Sequence, residues 1–188
     1  MDLYQHELES PVGIVYVISD GTNLRAVDFS GYEPRMHRLL ARHYDRYVIH
    51  AARQASDDCT HLKDYFAGDL HAIDNLAVAT NGTEFQRAIW AALRTIPAGT
   101  TVSYASIADQ VGRPKACRAV GLANGSNPIA IVVPCHRVIG TNHNLTGYGG
   151  GIERKQWLLK HEGAVVAEQS RRNTRQQPRE LFQDAAST

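Results

Sequence analysis

A thiol and an imidazole stand side by side at Cys135-His136, inside the pentapeptide Pro134-Cys135-His136-Arg137-Val138. Cysteine attacks as the thiolate, and an adjacent imidazole in rigid surroundings is one way to supply that thiolate near neutral pH. The pentapeptide ends an apolar run, Ile129-Ala130-Ile131-Val132-Val133, which predicts a nucleophile held at the edge of a buried element. Alone, a Cys beside a His is more often a buried structural thiol than a catalytic one. The flanking residues have to decide.

Those flanks read as a helical unit. Thr83-Glu84-Phe85-Gln86 predicts a capping box, its hydroxyl and amide satisfying the orphan N–H groups of a helix start. That helix presents Phe85, Ile89, Leu93 and Ile96 and stops at Pro97-Ala98-Gly99. Ser103 caps a second helix carrying Ile107, Ala108 and Val111, which Gly112 ends. Pro114 suits the first turn of a third helix, Lys115–Asn124, rich in small residues: Ala116, Ala119, Gly121 and Ala123. Helix, short Gly-containing turn and helix make a helix-turn-helix candidate. Small residues admit the close approach of another helix or of a nucleic-acid groove, and the residues alone leave both open. Gly147-Tyr148-Gly149-Gly150-Gly151 predicts a loop, and Ile152–Glu162 a helix with Trp157, Leu158 and Leu159 inward, stopped by Gly163.

Upstream, Val12–Ile18 and Leu24–Phe29 read as strands joined by the turn Asp20-Gly21-Thr22-Asn23. A helix over Glu33–Tyr44 places Met36, Leu39, Leu40 and His43 on one face, Tyr47–Ala51 is a strand, and a helix from Ser56 to Gly68 buries Leu62, Tyr65 and Phe66. This α/β unit carries no recognisable chemistry. The boundary falls near residues 78–83, so 1–80 form one domain, 81–166 a second, and the polar stretch 167–188 is expected to be a disordered tail.

The 188 residues suffice for one core or two small ones. Net charge is only +1, but residues 1–80 carry 7 Lys/Arg against 12 Asp/Glu, while residues 81–163 carry 9 against 4. The chemistry-bearing segment is the basic one, as an anionic partner wants. Three cysteines in distant contexts make neither a disulfide framework nor a CxxC zinc site. The start, Met1-Asp2-Leu3-Tyr4, lacks the features of a signal peptide, and no apolar run approaches membrane-spanning length, so a soluble, cytoplasmic protein is expected.

Pro134-Cys135-His136-Arg137-Val138, preceded by Asn124-Gly125-Ser126-Asn127-Pro128, closely resembles the O6-alkylguanine-DNA alkyltransferase family, in particular its bacterial Ogt-like branch. The likeness extends through Thr83-Glu84-Phe85-Gln86, Val102-Ser103-Tyr104, Arg118-Ala119-Val120-Gly121, Gly147–Gly151 and Leu158-Leu159-Lys160-His161-Glu162-Gly163. It is dense over 81–163, and looser over the first 80 residues. The resemblance implies a ribonuclease H-like α/β N-terminal domain and a mostly α C-terminal domain with a winged-helix-like helix-turn-helix.

It also implies a reaction. An alkyl group passes from O6 of guanine in DNA, or O4 of thymine, to Cys135, once and irreversibly, after the nucleotide is flipped out. His136 relays the thiol proton through a water, and Glu162 orients His136. Arg118 fills the gap left by the flipped base, and Tyr104 crowds the phosphate and helps neutralise the leaving guanine. The third helix enters the minor groove of double-stranded DNA, with Ala119, Ala123, Asn124 and Gly125 beside Arg118. Asn127 ties that helix to the active-site strand. Val138, Tyr148, Gly149 and Gly150 wall the guanine pocket. No metal and no cofactor is implied, and the protein is expected to act as a monomer.

Some relatives carry serine at the position of Gly149, so a roomier pocket, tolerant of groups larger than methyl, is expected here. Cys117 is assigned to packing. Two other readings stand beside this one: an alkyltransferase-like lesion sensor, which lacks the nucleophilic cysteine that Cys135 supplies, and a Cys-His hydrolase or acyl transferase, which leaves the small-residue helix without a purpose.

Overall fold

The computed structural model describes residues 1–53, 56–141, 144–145 and 147–165. The expected tail, 167–188, lies outside the described residues. The chain begins with a strand that the sequence pattern does not announce, β1 (Asp2–Leu8), because only Leu3 and Leu8 of its side chains are deeply buried. β2 (Val15–Ser19) and β3 (Leu24–Phe29) follow as an antiparallel pair. The first of them starts later than Val12 because Gly13, at φ +92°, closes a turn there. α1 (Glu33–His43), β4 (Val48–Ala51) and α2 (Asp57–Ala67) complete the unit. Ser56 caps α2, and Gly68 ends it in the left-handed conformation.

The mixed sheet runs β3-β2-β1-β4, with β4 parallel to β1. Alternation along its strands feeds two faces. Leu3, Ile18 and Ala26 pack with Met36, Leu40 and Tyr44 around α1. Val15, Val17, Val27 and Phe29 face the opposite way, into a larger core with Leu62 and Tyr65 of α2.

That larger core continues without interruption into the second half of the chain. α3 (Glu84–Arg94) carries both bonds of the capping box, Thr83 to Gln86 and back, and buries Ile89, Trp90 and Leu93. β5 (Val102–Ser103) leads into α4 (Tyr104–Gln110), capped by Ser103. α5 (Cys117–Gly125) starts two residues later than expected, because Pro114 and Lys115 sit in the turn closed by Ala116 N–H on Arg113 O. A 3-10 turn, Cys135–Arg137, runs into β6 (Val138–Ile139), parallel to β5, and α6 (Ile152–His161) ends the described helices.

The apolar run 129–133 is buried, as expected, but it is not a strand. Its only sheet-like contact is a bridge from Ile129 to Val27, held by Val27 N–H on Pro128 O and Ala130 N–H on Val27 O. After it the backbone coils tightly, with Ile131 at φ +69°. A β-branched residue there is strained. This coil sets where Cys135 points. Among the described residues no helix is long and apolar enough to cross a membrane.

Candidate active site

Asn127 holds the coil in place. Its amide is fully buried; Nδ2 donates to Val133 O at 2.7 Å and to Ile129 O at 3.3 Å, while Oδ1 accepts from Ile129 N–H at 3.0 Å. One side chain thus replaces the ladder bonds that the run forgoes. Cys135 leaves the coil buried, 4% exposed, with its backbone N–H on Val133 O. Burial pushes its thiol above the ordinary range; the Asn127 amide and the cations Arg35 and Lys155 pull it back down.

His136 is fully buried, and its Nε2 lies 2.8 Å from Glu162 Oε1. Its Nδ1 is buried with no hydrogen-bond partner among the described residues. With the proton on Nε2 facing the carboxylate, Nδ1 is left as a base. Burial pushes His136 below its usual value, against the pull of Glu162. Arg137, whose role the sequence left blank, grips the same carboxylate with two bonds, Nε to Oε2 and Nη2 to Oε1, each 2.9 Å. The third guanidinium nitrogen, Nη1, donates to Ile96 O. Glu162, the cap that follows α6, is buried. Burial resists its ionisation, but the bonds from His136 and Arg137 prevail and hold the carboxyl well below the usual range. Gly99 packs on its backbone, where a Cβ would lie 2.8 Å from Glu162 O.

The N-terminal unit is chemically silent in the sequence, and the structure corrects that. Tyr65 of α2 donates its hydroxyl to Glu162 Oε1 at 2.8 Å, across a separation of 97 residues. His161 meets that ring edge-on, donates from Nε2 to the Tyr65 backbone carbonyl at 2.8 Å and stacks on Trp157. Arg35 of α1 pairs with buried Asp28 and donates to Gly125 O and Asn127 O, each at 3.1 Å. Arg154 of α6 answers from the other side, donating to Val12 O, Ser30 O and Gly150 O, with Phe29 and Tyr32 beneath its guanidinium.

Lys155 is fully buried, with Nζ 2.6 Å from Val138 O. Burial lowers it to about 8, and the Cys135 thiolate opposes that fall. The visible signal for Arg154 and Lys155 is position: they share the inward face of α6 with Leu158 and Leu159. For Tyr65 the signal is a phenol deep in a core, where its O–H needs a partner.

The remaining expected residues divide. Val138 is buried in β6, and Tyr148 packs against Phe29 with its hydroxyl buried and without a hydrogen-bond partner among the described residues. Burial, and after it the negative charge of an ionised Cys135, push the Tyr148 phenol well above its ordinary range. Gly150 presses on the Phe29 ring. At Gly149 the Arg35 guanidinium packs close on the backbone, and a Cβ there would lie 2.6 Å from it.

Tyr104 opens α4 with its ring 3.9 Å from where a Cβ on Gly121 would sit. On α5, Arg118, Ala119, Leu122 and Gly125 face solvent. Ala123 and Asn124 are buried instead; Ala123 O accepts from Trp90 Nε1 and Asn124 Nδ2 donates to Cys135 O. Cys117 is exposed, so packing does not explain it. Among the described residues no group of three His, Cys, Asp or Glu could hold a metal ion.

The comparisons with known proteins fit this geometry. Residues 84–164 match the family model described as 6-O-methylguanine DNA methyltransferase, DNA binding domain. A methylated-DNA--protein-cysteine methyltransferase of Shigella flexneri is 51% identical over 167 residues, spanning 87% of this chain and 98% of the relative. One from Mycolicibacterium paratuberculosis is 50% identical over 158 residues, spanning 82% and 89%. The crystal structure of Mycobacterium tuberculosis OGT in complex with DNA superposes with a TM-score of 0.71 at 42% identity, covering 87% of this chain and 93% of that one. With a buried Cys-His pair at its centre and this likeness along most of its length, the chain belongs to the methylated-DNA–protein-cysteine methyltransferases.

Proposed function

We infer that the protein repairs DNA by direct reversal, moving an alkyl group from O6 of guanine, and also from O4 of thymine, onto Cys135. The single observation that carries this is the buried His136–Glu162 pair beside buried Cys135 in the chain, with Arg137 and Tyr65 fixing the carboxylate. In the reaction the thiol proton passes to His136 Nδ1 through a bridging water. Sulfur then attacks the alkyl carbon in line, the S–C bond forms, the C–O6 bond breaks, and its electron pair stays on guanine, which takes up a proton. Glu162 stabilises the imidazolium that forms, as the third member of a triad does. A thioether is a poor leaving group, so each molecule acts once.

Access to a base inside a duplex requires flipping. The exposed face of α5 suits entry into the minor groove: Ala119 and Gly125 present no bulk, and Arg118 stands ready to fill the vacated stack. Tyr104, at the start of α4 beside Gly121, is placed to crowd the backbone of the turned nucleotide. Tyr148, Val138 and the glycines after Tyr148 wall the base pocket. In this reading residues 1–80 form a ribonuclease H-like unit, residues 81–166 a winged-helix-like unit that binds DNA, and the protein acts as a cytoplasmic monomer without cofactor.

The test follows the DNA. A duplex bearing one O6-methylguanine is incubated with increasing protein, digested to nucleosides and separated. Recovered guanine should rise in proportion to protein added and stop at one lesion per molecule. Binding without loss of O6-methylguanine supports a lesion sensor instead, and repeated turnover contradicts transfer to the protein.

A further inference from the structure

α1 lies alongside the C-terminal half of α5, and an open groove of about 310 Å³ runs between them. Arg35, Arg38 and Arg42 line it from α1; Leu122, Gly125 and Ser126 line it from α5. Spacing of three and seven residues puts the three guanidinium groups on one helix face. No acidic residue lines the groove, although residues 1–80 carry a net −5. The positive stripe is thus a local reversal of its unit's charge.

The arginines differ in what they do. Arg35 is spent on Asp28 and on the carbonyls of Gly125 and Asn127, and so fastens α1 to the end of α5. Arg38 and Arg42 are exposed and make no ion pair or side-chain hydrogen bond among the described residues. Beside them Leu122 is 77% exposed, the most exposed large apolar side chain of any described helix. Arg118, Ala119, Leu122 and Gly125 form the outer face of α5, and this face continues into the groove without a break.

We propose that the outer face of α1 extends the DNA-binding surface of α5, with Arg38 and Arg42 holding backbone phosphates of the duplex that flanks the lesion. It rests on α5 being the duplex-facing helix, as inferred above. Charge complementarity and continuity with α5 favour a polyanionic duplex, and two arginines of fixed relative position suit successive phosphates. The N-terminal unit then contributes affinity without reading sequence.

The experiment is equilibrium binding of a lesion-free duplex by fluorescence anisotropy, across a range of salt concentrations. Three proteins are compared: wild type, R38A/R42A, and R53A/K63A, which removes two exposed cations that do not line the groove. Each phosphate contact contributes about 0.9 to the slope of log K against log salt. R38A/R42A should therefore flatten the slope by about 1.8 and bind roughly tenfold more weakly at low salt. R53A/K63A should keep the wild-type slope, and R38K/R42K should restore most of it. Equal melting temperatures keep folding out of the comparison. Wild-type slope in R38A/R42A, or the same loss in both alanine doubles, overturns the proposal while the repair reading stands. If R38A/R42A instead loses only binding to a polyglutamate peptide, the face belongs to an acidic protein and the proposal fails. Absence of salt-dependent duplex binding in the wild type overturns the surface and the repair reading together.

Discussion

Four hydrogen bonds converge on the Glu162 carboxylate: one each from His136 and Tyr65, and two from Arg137. A buried carboxylate is tolerable only when paired in this way, and removing a partner is costly. Tyr65 is the informative one, since it comes from the N-terminal unit and shares the acceptor Oε1 with His136. Its O–H draws charge from Oε1 and so weakens the hold of Glu162 on the His136 proton. Tyr65→Phe keeps the ring in its packing and removes only that bond. Glu162 then pulls harder on His136, whose affinity for a proton rises. With neutral His136 as the proposed base, the acid limb of the single-turnover rate should move to higher pH, with the alkaline plateau changed by less than about threefold. Rapid-quench rates between pH 5 and 9 check this. A lowered plateau with an unmoved limb would make Tyr65 a packing residue only.

At the scale of elements, a coil places the nucleophile where a strand was expected. Asn127 satisfies Ile129 and Val133 and holds Ile131 in a strained backbone conformation. Asn127→Ala strands the buried Ile129 N–H and takes one of two hydrogen bonds from Val133 O, at a cost of about 2 kcal/mol. Denaturant unfolding should show that loss as a lower midpoint, and the transfer rate should fall with it; an unchanged midpoint would mean that the coil holds itself. The Pro-Cys-His-Arg run, the capping box and the helix-turn-helix were legible because each is a local pattern with its own chemistry. The coil was not, because an apolar run reports burial without reporting backbone direction. Small size likewise marks close approach on either side of a helix, and for Ala123 and Asn124 the close neighbours are Trp90 and the Cys135 turn.

Taken whole, the molecule couples its halves through one core and through polar ties that no local pattern announces. Val27 of the sheet holds the coil before Cys135, Tyr65 braces Glu162, Arg35 fastens α1 to α5, and Arg154 binds back to Val12 and Ser30. Their partners lie about 90 to 140 residues away, as with Arg35 and Gly125 at 90 and Arg154 and Val12 at 142, so each side chain reads in sequence as an ordinary surface or core residue. The family likeness pointed to Cys135, His136 and Glu162, and the structure adds the contacts that hold His136 and Glu162. The central claim is that Cys135 takes the alkyl group and keeps it. Its most direct test is the intact mass of wild type and Cys135→Ala after incubation with excess duplex containing O6-methylguanine, followed by peptide mapping. The account predicts a gain of about 14 mass units, one methyl, on wild type alone and within the peptide that contains Cys135. A methyl group elsewhere, or on the alanine variant, would contradict it.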